Sequence, residues 1–320
     1  MNEKKIRIGV LGCANIAKKL IIPNIINSED YDLSGVASRD QNKSMHFANK
    51  FGCKSFNSYL DLISSNEIDA IYIPLPTGLH FEWALESLNH GKHVLCEKSL
   101  AVTPNQVKDL IFASKKNKKV LFENFMFPYH KQIQYVQNKL DENFIGDLRL
   151  FKSTFCFPIF DINTNIRYKK TLGGGSLLDA GAYTVMAAQI FMGSNIDVTF
   201  SHLVNNGEVD FHGTAILKNS NNVIGNLYFG FDNFYQNSIE LYGTKGSIIM
   251  QRAFTAKEDF KPKILLEDNN SSEEVFIPEC NQASLMLADF ARLIKNNLFT
   301  EFHEIMEKQS NLLYKFIDDR

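Results

Sequence analysis

The heptapeptide HVLCEKS (His93–Ser99) drives an apolar run straight into a carboxylate and an ammonium, Glu97 and Lys98. Further on, TLGGGSLLDAGAY (Thr171–Tyr183) passes through three glycines and then offers Asp179 and Tyr183. Those two are spaced i and i+4, which puts them on one face of a helix. A phenol can give a proton to a reacting oxygen, and a neighbouring ammonium or carboxylate tunes it. A lysine ammonium can hold a substrate oxygen and stabilise charge that develops there as a hydride moves. Each feature also has a plainer reading. Glu97–Lys98 could simply close a strand, and a tyrosine in an apolar helix more often satisfies its own hydroxyl in the core.

A hydride needs a carrier, and GVLGCANIAKK (Gly9–Lys19) suggests one. The dinucleotide-binding turn G-x-G-x-x-G/A uses its first glycine to turn, its second to let backbone approach pyrophosphate, and its third small residue to pack helix on strand. Here the positions are Gly12, Ala14 and Ala17. The methyl of Ala14 weakens the match, while the strand–turn–helix setting aims free N–H groups at a phosphate and strengthens it. The second strand ends in GVASRD. Ser38 and Arg39 suit a 2′-phosphate and so NADP, whereas Asp40 leaves NAD open. Pro76 and Thr77 stand at another strand end, where ligands of such sheets lie.

The elements that would position these groups are legible in outline. Up to about residue 125, short apolar runs without alternation are separated by helical stretches: strands at 6–11, 33–37, 70–73, 94–96 and 120–123, and helices at 15–27, 42–51, 59–64, 80–89 and 104–116. Pro23 should kink or break the first helix. That pattern predicts a doubly wound parallel sheet covered on both faces. From about Leu148 the strands alternate. In NNVIGNLYFGFDN, Val223, Gly225, Leu227, Phe229 and Phe231 share one face. Further strands are expected at 197–204, 209–217, 238–242 and 247–251, with YGTKGS as a hairpin turn. Helices at 282–295 and 303–317 close the chain. The expectation is an N-terminal Rossmann domain over 1–125. An α+β domain with an open, mainly antiparallel sheet should follow over 126–320, its last helices packing back on the first domain.

Bulk properties exclude several classes. Of the 320 residues, 44% are hydrophobic and 22% charged, with a net charge of −2. No basic stripe invites nucleic acid. Five scattered cysteines without a CxxC argue against disulfides or zinc and for a reducing compartment. The opening MNEKKIRIGVLG lacks a signal-peptide layout, and no apolar run approaches the roughly 20 residues of a membrane span. A cytoplasmic protein with no metal is expected, since the histidines show no ligand spacing.

IRIGVLGCANIA, the EKS tip, GGGSLLDAGAY and the late RAFT (Arg252–Thr255) occur together, and in this order the chain resembles the glucose–fructose oxidoreductase, inositol dehydrogenase and MocA family. The resemblance implies an NAD(P)-binding Rossmann domain and a sheet domain that carries contacts of a homodimer or homotetramer. The family's E-K-P lysine maps onto Lys98, with Ser99 where proline is usual. Its D-x-G-x-H aspartate maps onto Asp179, and the histidine position is Tyr183. That departure points away from inositol dehydrogenases and towards the branch in which tyrosine is the proposed acid. LPTGLHFEWALESLNHGKHVLCEK, ENFMFPYH and IRYKKTLGGGSLLDAGAY look most like nucleotide-sugar 3-ketoreductases of deoxysugar biosynthesis.

The implied enzyme is an NADPH-dependent ketoreductase acting on a nucleotide-linked deoxyhexose. Catalysis would fall to Lys98, Tyr183 and Asp179. Cofactor contacts would come from Gly12, Ala14, Asn15, Ile16, Ser38, Arg39, Leu75, Pro76, Thr77, His80, Glu97, Lys98, Asn124 and Arg167. Two alternatives stay open: an aldose or dihydrodiol dehydrogenase working on a free sugar or diol, and a catalytically silent cofactor-sensing regulator.

Overall fold

A computed structural model describes residues 4–193 and 195–318. The chain divides into two compact units, one of 1–124 with 283–307 and one of 125–282 with 308–320.

In the first unit, strand β1 (Ile6–Leu11) leads through a π-helical turn (Ala17–Ile21) into α1 (Ile22–Asn27). There follow β2 (Tyr31–Ala37), α2 (Gln41–Phe51), β3 (Lys54–Phe56), α3 (Tyr59–Ser64), β4 (Ala70–Ile73), α4 (His80–Asn89), β5 (His93–Glu97), α5 (Pro104–Asn117) and β6 (Leu121–Asn124). The strands pair in parallel in the order β3-β2-β1-β4-β5-β6. That is the order of two mononucleotide-binding halves meeting at β1 and β4. All four residues of β4 are fully buried, as a central strand covered on both faces requires. The chain stays helical through Pro23 instead of breaking there; the π-helical turn just before α1 accommodates a residue that has no N–H to give. Local chemistry sets the helix ends. The Asp40 side chain accepts from the amides of Asn42 and Lys43, Gly52 closes α2 at φ 70°, and Thr103 with Gln106 forms a capping box ahead of α5.

The second unit begins with α6 (Lys131–Asp141) and β7 (Leu148–Cys156), and a π-helical turn (Leu177–Gly181) opens α7 (Ala182–Met192). Strands β8 (Ile196–Asn206), β9 (Val209–Asn219), β10 (Ile224–Gly230), β11 (Gln236–Gly243), β12 (Gly246–Gln251), β13 (Lys263–Asp268) and β14 (Ser272–Phe276) complete it. They form one eight-stranded sheet, β14-β13-β12-β11-β7-β10-β9-β8, antiparallel except where β10 runs parallel to β7. Val223, Gly225, Leu227, Phe229 and Phe231 are all buried, as their alternation predicts. The turn in YGTKGS joins β11 to β12 in an antiparallel hairpin. The chain ends in α8 (Gln282–Lys295) and α9 (His303–Asp318). Among the described residues no helix is long and apolar enough to cross a membrane.

Candidate active site

Parallel strands share one polarity, so β1, β2, β4, β5 and β6 deliver their C-terminal residues to one edge of the sheet. Five of the sequence-derived groups stand there: the Gly12–Ile16 turn, Ser38–Arg39, Leu75–Thr77, Glu97–Lys98 and Asn124.

The first of these is built for close approach. Gly12 holds φ 103°, and a β-carbon on it would come within 2.9 Å of Leu75 Cδ2. Its amide donates to Ala37 O at 2.8 Å, tying the turn to the end of β2. At that end Arg39 is exposed and its charge bears on the phenol of Tyr59. Asp40 spends its carboxylate on the first amides of α2, which leaves Arg39 as the nearby charge without an acidic competitor for a 2′-phosphate.

At the tip of β5, Glu97 Oε1 accepts from Tyr72 Oη at 2.7 Å and from Asn124 Nδ2 at 2.6 Å. Desolvation pushes the Glu97 pKa up, and these two donors with Lys98 pull it back. Glu97 is thus a tie between β4, β5 and β6, and Lys98, half-buried, emerges one residue later. The Lys98–Ser99 peptide is cis. Asn124 is buried, and its Oδ1 has no partner within the protein. An unpaired buried acceptor is costly, and a ligand donor would relieve it.

His80 was expected to line the cofactor, but its polar atoms are spent inside the fold. Nδ1 lies 2.7 Å from Ser99 O and Nε2 2.7 Å from Leu75 O, with the residue 1% exposed. Desolvation lowers its pKa and the two carbonyls raise it. Neutral imidazole serves one of these oxygens at a time, and imidazolium serves both. Glu123, which sequence reading missed, accepts the Leu100 amide at 2.8 Å, and burial pushes its pKa up to about 7.

The second unit holds the other expected residues. Tyr183, the second residue of α7, is enclosed by Phe125, Phe127, Phe155 and Phe254, with ring centroids 5.1–5.9 Å away. Phe254 comes from the RAFT segment. Asp179 Oδ2 accepts from Arg167 Nε at 2.5 Å, and the guanidinium lies over the rings of Phe157 and Phe160. Arg167, expected to meet the cofactor, is thus engaged with the carboxylate of the same constellation. Asp210 on β9 was also missed. Its Oδ2 accepts from Ser176 Oγ and from the Leu177 amide, both at 2.7 Å, and so caps the turn that carries Asp179. Among the described residues no group of three His, Cys, Asp or Glu side chains could hold a metal ion.

Residues 6–125 match the oxidoreductase family with an NAD-binding Rossmann fold, GFO/IDH/MocA, and residues 133–249 match the C-terminal domain of the same family. The chain belongs to the GFO/IDH/MocA oxidoreductases. Among GFO/IDH/MocA proteins it is 35% identical over 295 residues to the dTDP-3,4-didehydro-2,6-dideoxy-alpha-D-glucose 3-reductase of Saccharopolyspora spinosa, covering 92% of this chain and 89% of that one. The enzyme of the same name from Actinomadura kijaniata is 33% identical, with the same coverage. The crystal structure of KijD10, a 3-ketoreductase from Actinomadura kijaniata in complex with NADP and TDP-benzene, superposes with a TM-score of 0.95 at 31% identity over 98% of both chains.

Proposed function

We propose that this chain is an NADPH-dependent ketoreductase that reduces the C3 keto group of a deoxyhexose carried on a nucleoside diphosphate. The observation that carries this reading is the near full-length similarity to 3-reductases of dTDP-linked dideoxy sugars. Local chemistry supports the cofactor: a glycine turn that a β-carbon would block, an exposed arginine beside a carboxylate already committed as a helix cap, and a buried amide oxygen left open.

NADPH, when bound, supplies the hydride. Backbone amides of Ala14, Asn15 and Ile16 would hold its pyrophosphate over the Gly12 turn, whose own amide is tied to Ala37 O; Ser38 and Arg39 would hold its 2′-phosphate, and Leu75, Pro76, Thr77 and Asn124 its nicotinamide half. Lys98 hydrogen-bonds the ketone oxygen and stabilises the alkoxide that forms there. Tyr183 donates the proton to that oxygen, and its phenylalanine surroundings keep water from competing with it. Arg167 holds Asp179, which orients the sugar.

The sheet of the second unit supports self-association. Its face opposite α7 carries Phe200 and Ile224, 53% and 40% exposed, and we assign that face to a second copy of the chain.

The purified protein should oxidise NADPH when given a dTDP-linked 3-keto-dideoxyhexose, and should ignore free aldoses and diols. Turnover of a free sugar without nucleotide would replace this reading with an aldose or diol dehydrogenase. Tight NADPH binding with no turnover of either class would replace it with a cofactor sensor.

A further inference from the structure

The carbonyl of Ser99 and the amide of Leu100 belong to one peptide unit, the second after Lys98. Both of its polar atoms are bound by buried side chains: Ser99 O lies 2.7 Å from His80 Nδ1, and Leu100 N donates to Glu123 Oε1 at 2.8 Å. Ser99 and Leu100 are each 2% exposed, His80 1% and Glu123 8%. In a trans peptide the C=O and N–H point in opposite directions, so this unit is held from both sides, by the first residue of α4 and by β6.

Burying a carboxylate is expensive, and an apolar residue would pack on a central strand without that cost. What the carboxylate gives in return is an acceptor for one backbone amide beside the lysine. His80 is similarly placed: its second nitrogen lies 2.7 Å from Leu75 O, and the single N–H of the neutral ring serves either that carbonyl or Ser99 O. On the other side of Lys98, Glu97 is fixed by Tyr72 and Asn124. The lysine's backbone is therefore held before it through Glu97 and after it through His80 and Glu123.

We infer that His80 and Glu123 are positioning residues for Lys98, gripping the Ser99–Leu100 peptide between them. The catalytic consequence rests on the ketoreductase reading above; the grip itself does not. Glu123→Ala and His80→Ala should each lower kcat about 10- to 100-fold, as a displaced catalytic group does, while KM and NADPH affinity move less than about twofold. Glu123→Gln keeps an acceptor oxygen and should restore most of the rate. Amide hydrogen exchange supplies a readout that needs no substrate. Leu100 should exchange at least about tenfold faster in Glu123→Ala, with Val94 and Leu95 of β5 unchanged, and should stay protected in Glu123→Gln.

A wild-type kcat in either alanine variant overturns the inference. So does a Glu123→Gln enzyme as slow as Glu123→Ala, or Leu100 exchange that Glu123→Ala leaves unmoved. Should Glu123→Ala fail to fold, loss of Leu100 protection in Glu123→Gln overturns it instead. If the wild-type protein reduces no nucleotide-linked ketone, the proposed function falls, and Leu100 exchange still decides the grip.

Discussion

A lysine at a strand tip is useful to a developing alkoxide only if its neighbouring carboxylate does not neutralise it. Glu97 still feels the charge of Lys98, but it also accepts from Tyr72 and Asn124, which spread its charge over β4 and β6, a division of labour invisible in the dipeptide itself. Residue types raised Lys98, Asp179 and Tyr183 only as candidates, each with a plainer structural use beside it, and the family resemblance gave them their roles. Glu123 and Asp210 were not legible. Their task is to receive backbone amides from segments distant in sequence, and no local spacing encodes that. If Lys98 and Tyr183 act on one oxygen, their effects must be non-additive. Tyr183→Phe should cut kcat about 10²–10⁴-fold with NADPH affinity unchanged, and adding Lys98→Met should cost much less than it does alone. Fully additive losses in that cycle would mean that the two groups serve different steps. The charge of Arg39 belongs to the cofactor. Arg39→Ala should weaken NADPH by roughly 10- to 100-fold, the loss of one charge-assisted hydrogen bond, and leave NADH binding unmoved. Equal weakening of both cofactors, measured by fluorescence titration, would remove Arg39 from the 2′-phosphate.

At the scale of elements, buried strands and helix ends were readable where they advertise themselves locally: apolar runs for β4 and β5, Gly52 after α2. Three strands, β3, β13 and β14, went unread. β3 has only three residues, and β14 (Ser272–Phe276) is largely exposed and polar, so pairing with β13 alone makes it a strand. The π-helical turn before α7 was equally silent, since it depends on Asp210 reaching across from β9. That dependence is testable. Ser176 and Leu177 are buried, so Asp210→Ala strands a hydroxyl and an amide, at about 1–3 kcal/mol for each unsatisfied group. The urea midpoint should fall accordingly. Asp210→Asn, which still offers an oxygen, should lose less. A denaturation curve for Asp210→Ala that overlays the wild type would show that the cap contributes nothing.

Across the whole molecule, buried histidines contribute to the response to acid. Burial holds His93, His130 and His303 down at about 4, against an ordinary value near 6.5. Two of them have a structural reason to stay neutral. His93 Nδ1 accepts the Val120 amide at 3.0 Å, and His130 Nδ1 accepts the Gln132 amide at 3.2 Å, so protonation would destroy an acceptor. His130 is also the N-cap of α6, where a positive charge meets the positive end of the helix dipole. Between about pH 6.5 and pH 4 the unfolded chain binds protons that the folded chain refuses, so stability from these groups is complete above pH 6.5 and drains away as pH falls. Glu123 works in the opposite sense. Raised to about 7 from 4.5, it favours the fold at low pH and loses that contribution as pH climbs through 7. A single substitution separates the histidine term from every other. Asn is a good N-cap and does not titrate, so His130→Asn keeps an acceptor for Gln132 and removes one acid-sensitive site. Its stability at pH 7 will drop, because a fully buried ring has been replaced by a smaller side chain. Its decline from pH 6.5 to pH 4 should nevertheless be shallower than that of the wild type, by up to about one proton in the linkage slope. Melting temperatures measured across that range decide the matter: parallel curves for the two proteins would mean that His130 binds its proton equally in the folded and unfolded states.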